Sequence, residues 1–127
     1  MFVPNHLHLI TRAHVEHPPT SEEELNDWLT ELVSLVGMQI VAGPTSVYVS
    51  EPGNEGVTGT ITLATSHASI HVWDHEHPSL VQFDIYSCKE FSKEAVFDHL
   101  NKFRIVDLQW IYIDRNSGIR VDSFGNK

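Results

Sequence analysis

The feature that most restricts the fold is an alternation of period two that keeps returning along the chain. Leu80 to Ser87 sets Val81, Phe83 and Ile85 against Gln82, Asp84 and Tyr86. Thr58 to Ala64 interleaves threonine with Gly59, Ile61 and Leu63 in the same way. Such runs predict strands with one face against a core and one face polar, as antiparallel sheets have. Further strands are expected at His6–Ile10, Met38–Ala42, Ser46–Ser50, Ser69–Trp73 and Ile105–Asp114. Gly43-Pro44 is expected to end one of them.

Two segments switch to the helical period. Ser21 and Glu24 form a capping box, and Leu25, Trp28, Leu29, Leu32, Val33 and Val36 share one face before Gly37 stops the helix. Ser92 caps a second helix, with Phe91 and Val96 at staple positions and Val96, Phe97, Leu100 and Phe103 as its apolar face. His14 to Pro19 reads as a loop, and residues 115–127 read as a loose tail. The order predicts an α+β domain over residues 1–127: a two-layer sandwich, two helices packed on a mostly antiparallel sheet. The two halves resemble a weak internal duplication in pattern.

Composition narrows the function. The formal net charge is -9, so a nucleic-acid partner is not expected. The field favours cationic small molecules, although solubility alone also explains the charge. No apolar run is long enough for a membrane span, and the start lacks the pattern of a signal peptide. The single cysteine, Cys88, makes no internal disulfide and suits a reducing, cytoplasmic setting.

The stretch Ala64 to Trp73 carries more polar groups than a buried strand holds without a purpose: Thr65, Ser66, His67, Ser69 and His71. Thr65-Ser66-His67-x-Ser69-Ile70-His71-x-Trp73, followed by Asp84-Ile85-Tyr86-Ser87-Cys88, resembles the short prokaryotic S-adenosylmethionine decarboxylases. The resemblance is dense from Gly56 to Cys88. It implies self-cleavage between Thr65 and Ser66 into a β chain, 1–65, and an α chain, 66–127. The Ser66 hydroxyl attacks the Thr65 carbonyl, the ester eliminates, and hydrolysis of the dehydroalanine leaves a pyruvoyl cofactor on the new terminus. That carbonyl then forms a Schiff base with the substrate amine and acts as electron sink for decarboxylation.

The resemblance also assigns roles. His71, five residues after Ser66, is the processing base, reaching Ser66 across a bend. Thr58, in Gly56-Val57-Thr58-Gly59, is the processing hydroxyl where the family usually has serine. Cys88 is the proton donor. Glu76 takes the ribose hydroxyls, Tyr48 supplies the aromatic contact to adenine, and His67 is a site neighbour. The expected substrate is S-adenosylmethionine, the expected product serves spermidine synthesis, and the expected assembly is a homodimer of processed protomers with sites near the interface. Thr65 departs from the family's glutamate, and Asp74-His75-Glu76-His77-Pro78 departs from its Pro-Glu.

Blander readings stand beside these. Alone, Ser66 is a strand-end serine, Cys88 a small buried hydrophobe, and Trp28, Trp73 and Trp110 core residues. His6 and His8 form a partly exposed pair on one side of a strand. His71, His75 and His77 with Asp74 and Glu76 lack the spacing of a metal site, and no metal is expected. Three rivals follow: a pyruvoyl-dependent ornithine or arginine decarboxylase, an uncleaved non-enzymatic ligand-binding relative, and a histidine-rich metal-binding domain.

Overall fold

In the computed structural model, which describes residues 2–127, the period-two runs form one antiparallel sheet. The elements are β1 (Leu7–Val15), α1 (Glu22–Leu35), β2 (Ile40–Val49), β3 (Gly56–Leu63), β4 (Ser66–Trp73), β5 (Ser79–Ser87), α2 (Lys93–Leu100), β6 (Ile105–Asp114) and β7 (Arg120–Asn126). The seven strands lie in the order β2-β3-β4-β5-β1-β6-β7. A strand–helix–strand–strand unit occurs twice, as β1-α1-β2-β3 and β5-α2-β6-β7. Both helices lie on one face, giving the expected two-layer α+β sandwich.

Helix α1 starts where its cap dictates. The Ser21 hydroxyl accepts from the Glu24 amide at 3.1 Å, satisfying one of the orphan donors of the first turn. Leu25, Trp28, Leu29, Leu32 and Val33 are all buried. Gly59 on β3 lets the helix approach, since a Cβ there would lie 2.8 Å from Leu25 Cδ2. The helices are clamped by a reciprocal pair. Trp28 Nε1 donates to the His99 carbonyl at 3.1 Å. His99 Nε2 lies 2.8 Å from the Trp28 carbonyl, which requires the proton on Nε2. The two rings stack at 4.6 Å.

Four expectations are corrected. Strand β1 runs on to Val15, through the expected loop start at His14, because His14 pairs across β6 with Asp107, Nδ1 to Oδ1 2.9 Å. Strand β2 is one element, not two. Gly43 adopts φ +88°, and the register with β3 shifts around it, so the chain bulges through Gly43-Pro44 instead of ending. The segment 115–127 is not a loose tail: β7 pairs with β6, and Lys127 and Leu108 exchange backbone hydrogen bonds of 2.7 and 2.9 Å. The Trp110 ring covers Gly125 closely enough that a Cβ would sit 2.9 Å away. Trp73 is half-buried on the helix-free face, its Nε1 donating to Asn54 Oδ1 at 2.8 Å, and is not a core residue.

Candidate active site

The β3–β4 hairpin turns on two residues, Ala64 and Thr65, with Leu63 paired to Ser66. Thr65 has φ +50°. A left-handed conformation costs an ordinary residue roughly 1–2 kcal/mol, and a β-branched side chain there is an outlier. Neighbours hold the turn. The Ala64 amide donates to the Gln39 carbonyl at 3.0 Å, and Thr65 Oγ1 donates to the Ala64 carbonyl at 2.8 Å.

Ser66 follows as the first residue of β4 and is 8% exposed. Its Oγ accepts from the Cys88 amide at 3.0 Å. The end of β5 thereby brings Cys88 to the hairpin, with Sγ 3.5 Å from the Ala64 carbonyl. Burial pushes the Cys88 thiol up. The polar Thr65 and Ser66 hydroxyls beside it, its own backbone amide and, least of these, the Lys89 charge outweigh that, so the thiol ionises below its ordinary range. Thr65, Ser66, Cys88 and Lys89 line a cavity of about 470 Å³ with Phe2 and the Gly37–Gln39 segment.

Thr58 and His71 also meet, but elsewhere. They face each other across β3 and β4, with Thr58 Oγ1 3.2 Å from His71 Nδ1. Along β4, Ser66, Ala68, Ile70 and Val72 are buried toward the helices, and His67, Ser69, His71 and Trp73 face the open side. His71 therefore stands on the opposite face from Ser66 and roughly 16 Å along the strand. The expected bend is not there. Pairing to β3 on one side and β5 on the other, without a register shift, keeps β4 straight. The structure brings Ser66 to Cys88 and Thr58 to His71, and leaves the two pairs apart within one chain.

The remaining residues fall on the open face or the far end of β4. His67 is exposed and stacks on Tyr86 at 5.8 Å. His6 and His8, the expected half-exposed pair, both reach β5: His6 Nδ1 to Tyr86 Oη at 2.7 Å and His8 Nε2 to Asp84 Oδ2 at 2.8 Å. Ser69 Oγ donates to the other Asp84 oxygen at 2.5 Å. Burial raises the Asp84 carboxyl, but the His8 and Ser69 bonds prevail and hold it below the usual carboxylate range. Tyr48 Oη donates to the Asp74 carboxylate at 3.1 Å. Glu76 is exposed and lines a shallow hollow of about 240 Å³ with Trp73, His75, Glu55 and Gly53. Neither Tyr48 nor Glu76 lines the Ser66 cavity. Among the described residues no group of three or more histidine, cysteine or acidic side chains converges on one point, so the His71, His75 and His77 set does not assemble. No described helix is long and apolar enough to cross a membrane.

The family model of S-adenosylmethionine decarboxylase matches residues 14–116. The chain belongs to the S-adenosylmethionine decarboxylase family. A curated relative, the S-adenosylmethionine decarboxylase proenzyme of Archaeoglobus fulgidus, is 40% identical over 62 residues. That stretch is 47% of this chain and 54% of the relative, so the chain spans about half the length of the curated protein it matches.

Within this family fold, Gly56-Val57-Thr58-Gly59 has a physical reading. Gly56 takes φ +151°, and a Cβ there would lie 1.7 Å from the Val72 carbonyl oxygen, so β3 and β4 come together only over glycine. Gly59 admits α1, and Thr58 between them is left facing His71. Sequence reasoning passed over Lys89 and Phe2 at the cavity, and Asp84 as the hub joining His8 and Ser69. Only Asp84 carried a signal: it is the one acidic residue on the polar face of the β5 pattern.

Proposed function

We propose that this chain is a self-processing, pyruvoyl-dependent S-adenosylmethionine decarboxylase of polyamine synthesis, cleaved between Thr65 and Ser66. The observation that carries the proposal is the Thr65–Ser66 turn: a strained β-branched residue directly before a serine whose hydroxyl is held by the Cys88 amide. Strain stored in a turn is relieved when its peptide carbonyl becomes tetrahedral under attack by the Ser66 hydroxyl. The acyl group passes from nitrogen to oxygen, elimination releases the carboxyl end of residue 65, and water replaces the amine as ammonia. The residues at the turn suit the resulting pyruvoyl group, since Ser66 opens on the cavity and Cys88 lies against it. Once formed, that group supplies an electron sink for loss of carbon dioxide. The chain itself supplies a proton at Cys88 Sγ, made more acidic by its polar surroundings, and the hairpin that keeps the cavity beside it. A free thiol in this role suits a reducing, cytoplasmic setting.

The separation of His71 from Ser66 supports assembly as a homodimer. The helix-free face carries Ile10, Ile111, Ile113, Val121 and Phe124 on neighbouring strands, with Phe124 76% exposed. A second copy seated on this face covers those side chains. His71 and Thr58 stand on that same helix-free face, so in this reading the pair of one protomer serves the Thr65–Ser66 turn of the other. Mixing Ser66→Ala with His71→Ala protein tests the arrangement. Cleavage of the His71→Ala chains only in the mixture is expected. An uncleaved mixture, with wild type cleaving, overturns assembly across two copies. For the substrate, carbon dioxide release from carboxyl-labelled S-adenosylmethionine, ornithine and arginine is compared, and release from S-adenosylmethionine alone is expected. Activity on ornithine or arginine instead would replace that assignment.

A further inference from the structure

We propose that Lys89 is the positioning residue for Cys88: tied to the end of α1, it fixes the turn that presents the thiol to Ser66 and supplies the positive charge beside it. This rests on the reading of Cys88 as the proton donor.

The geometry is a clamp with three points. The first is side chain to helix. Lys89 Nζ donates to the carbonyl of Gly37, the glycine with φ +69° that ends α1. Helix α1 has no basic residue in its last turn, so Lys89 is the cation that meets the negative end of its dipole. The second is backbone to side chain. The buried Ser87 hydroxyl accepts from the Lys89 amide at 3.0 Å and donates to the Lys89 carbonyl at 2.5 Å, closing Ser87-Cys88-Lys89 into a tight turn. The third is Cys88 itself, whose amide donates to Ser66 Oγ at 3.0 Å and whose carbonyl accepts from the Asn5 amide at 2.7 Å. With its neighbour anchored on both sides, the thiol has little freedom to leave the cavity. Among the described residues lining that cavity, Lys89 is the one cationic side chain. The other charged group close by in sequence, Glu90, is exposed. A cation near a thiol favours its ionised form, and Lys89 acts on Cys88 in that sense, as the smallest of the influences on it.

The test uses the fact that Cys88 is the single cysteine of the chain, so alkylation reads one residue. Iodoacetamide reaction rates are measured against pH for wild type, Lys89→Met and Lys89→Arg, each checked for cooperative unfolding. The midpoint is expected to rise by up to about 0.5 pH unit in Lys89→Met, in keeping with the loss of one partly screened charge. Lys89→Arg keeps the charge and is expected to hold the wild-type midpoint. A purely structural lysine would lower the unfolding temperature of Lys89→Met and leave its alkylation midpoint in place; that result, or equal shifts in both variants, overturns the proposal. Masses of the same samples report cleavage separately, so failure of self-processing is read independently of the thiol.

Discussion

Replacing Thr65 by glycine sets fold stability against self-processing. Thr65 sits at φ +50°, where an L-residue gives up roughly 1–2 kcal/mol relative to its preferred basins. Glycine removes that cost but gains freedom in the unfolded chain, which returns about 0.5–1 kcal/mol. Thr65→Gly is therefore expected to stabilise the uncleaved protein by up to about 1.5 kcal/mol, measured by urea unfolding. Cleavage should move the other way. If 1–2 kcal/mol of strain is released as the Thr65 carbonyl is attacked, removing it slows the reaction roughly 5- to 30-fold. The assay is a time course of fragment masses after synthesis in a cell-free system. Thr65→Val keeps the branched side chain without the hydroxyl and should cleave near the wild-type rate. Thr65→Asn, tolerant of left-handed backbone, should fall between. A Thr65→Gly protein that is more stable and cleaves as fast as wild type would refute the link between strain and processing.

Other outcomes follow from the same structure. Gly56→Ala places a Cβ 1.7 Å from the Val72 carbonyl oxygen at φ +151°, and should cost about 3 kcal/mol or more in chemical unfolding. His99 is buried, which pushes its imidazole below the ordinary range despite the bond to the Trp28 carbonyl. The unfolded chain then binds the extra proton first, so this contribution to stability is complete above about pH 6.5 and is lost as pH falls below it. Unfolding free energies at pH 5 and 7.5 should show this slope in wild type and a shallower one in His99→Gln. Cys88→Ala should still cleave, and should lose roughly 10²–10⁴ in decarboxylation rate, the usual range for a missing general acid.

The layers of this fold were legible because they rest on local rules. The Ser21 cap, the apolar face from Leu25 to Val33 and the alternation in β5 each name an element without reference to the rest of the chain. What was hidden depends on distant partners. Gly43-Pro44 reads as a terminator until β3 is seen to hold the chain on both sides of the bulge. The strand at Arg120–Asn126 is polar enough to read as tail, and is ordered by Trp110 and Leu108 on β6. The Ser66–Cys88 contact was foreseeable from family spacing, but the Lys89–Gly37 tie joins residues 52 apart that no pattern connects. The placement of His71 is a different case. A residue five positions on lies on the opposite face of any regular strand, so parity alone contradicted the expected return to Ser66. That parity now argues for a second protomer.

The most direct test of the central claim is the intact mass of the purified, denatured protein. Self-processing predicts two species, residues 1–65 and residues 66–127, the second with a blocked terminus whose mass fits pyruvoyl in place of serine. A single unbroken chain after prolonged incubation would contradict cleavage at Thr65–Ser66 and, with it, the assignment of a pyruvoyl-dependent activity.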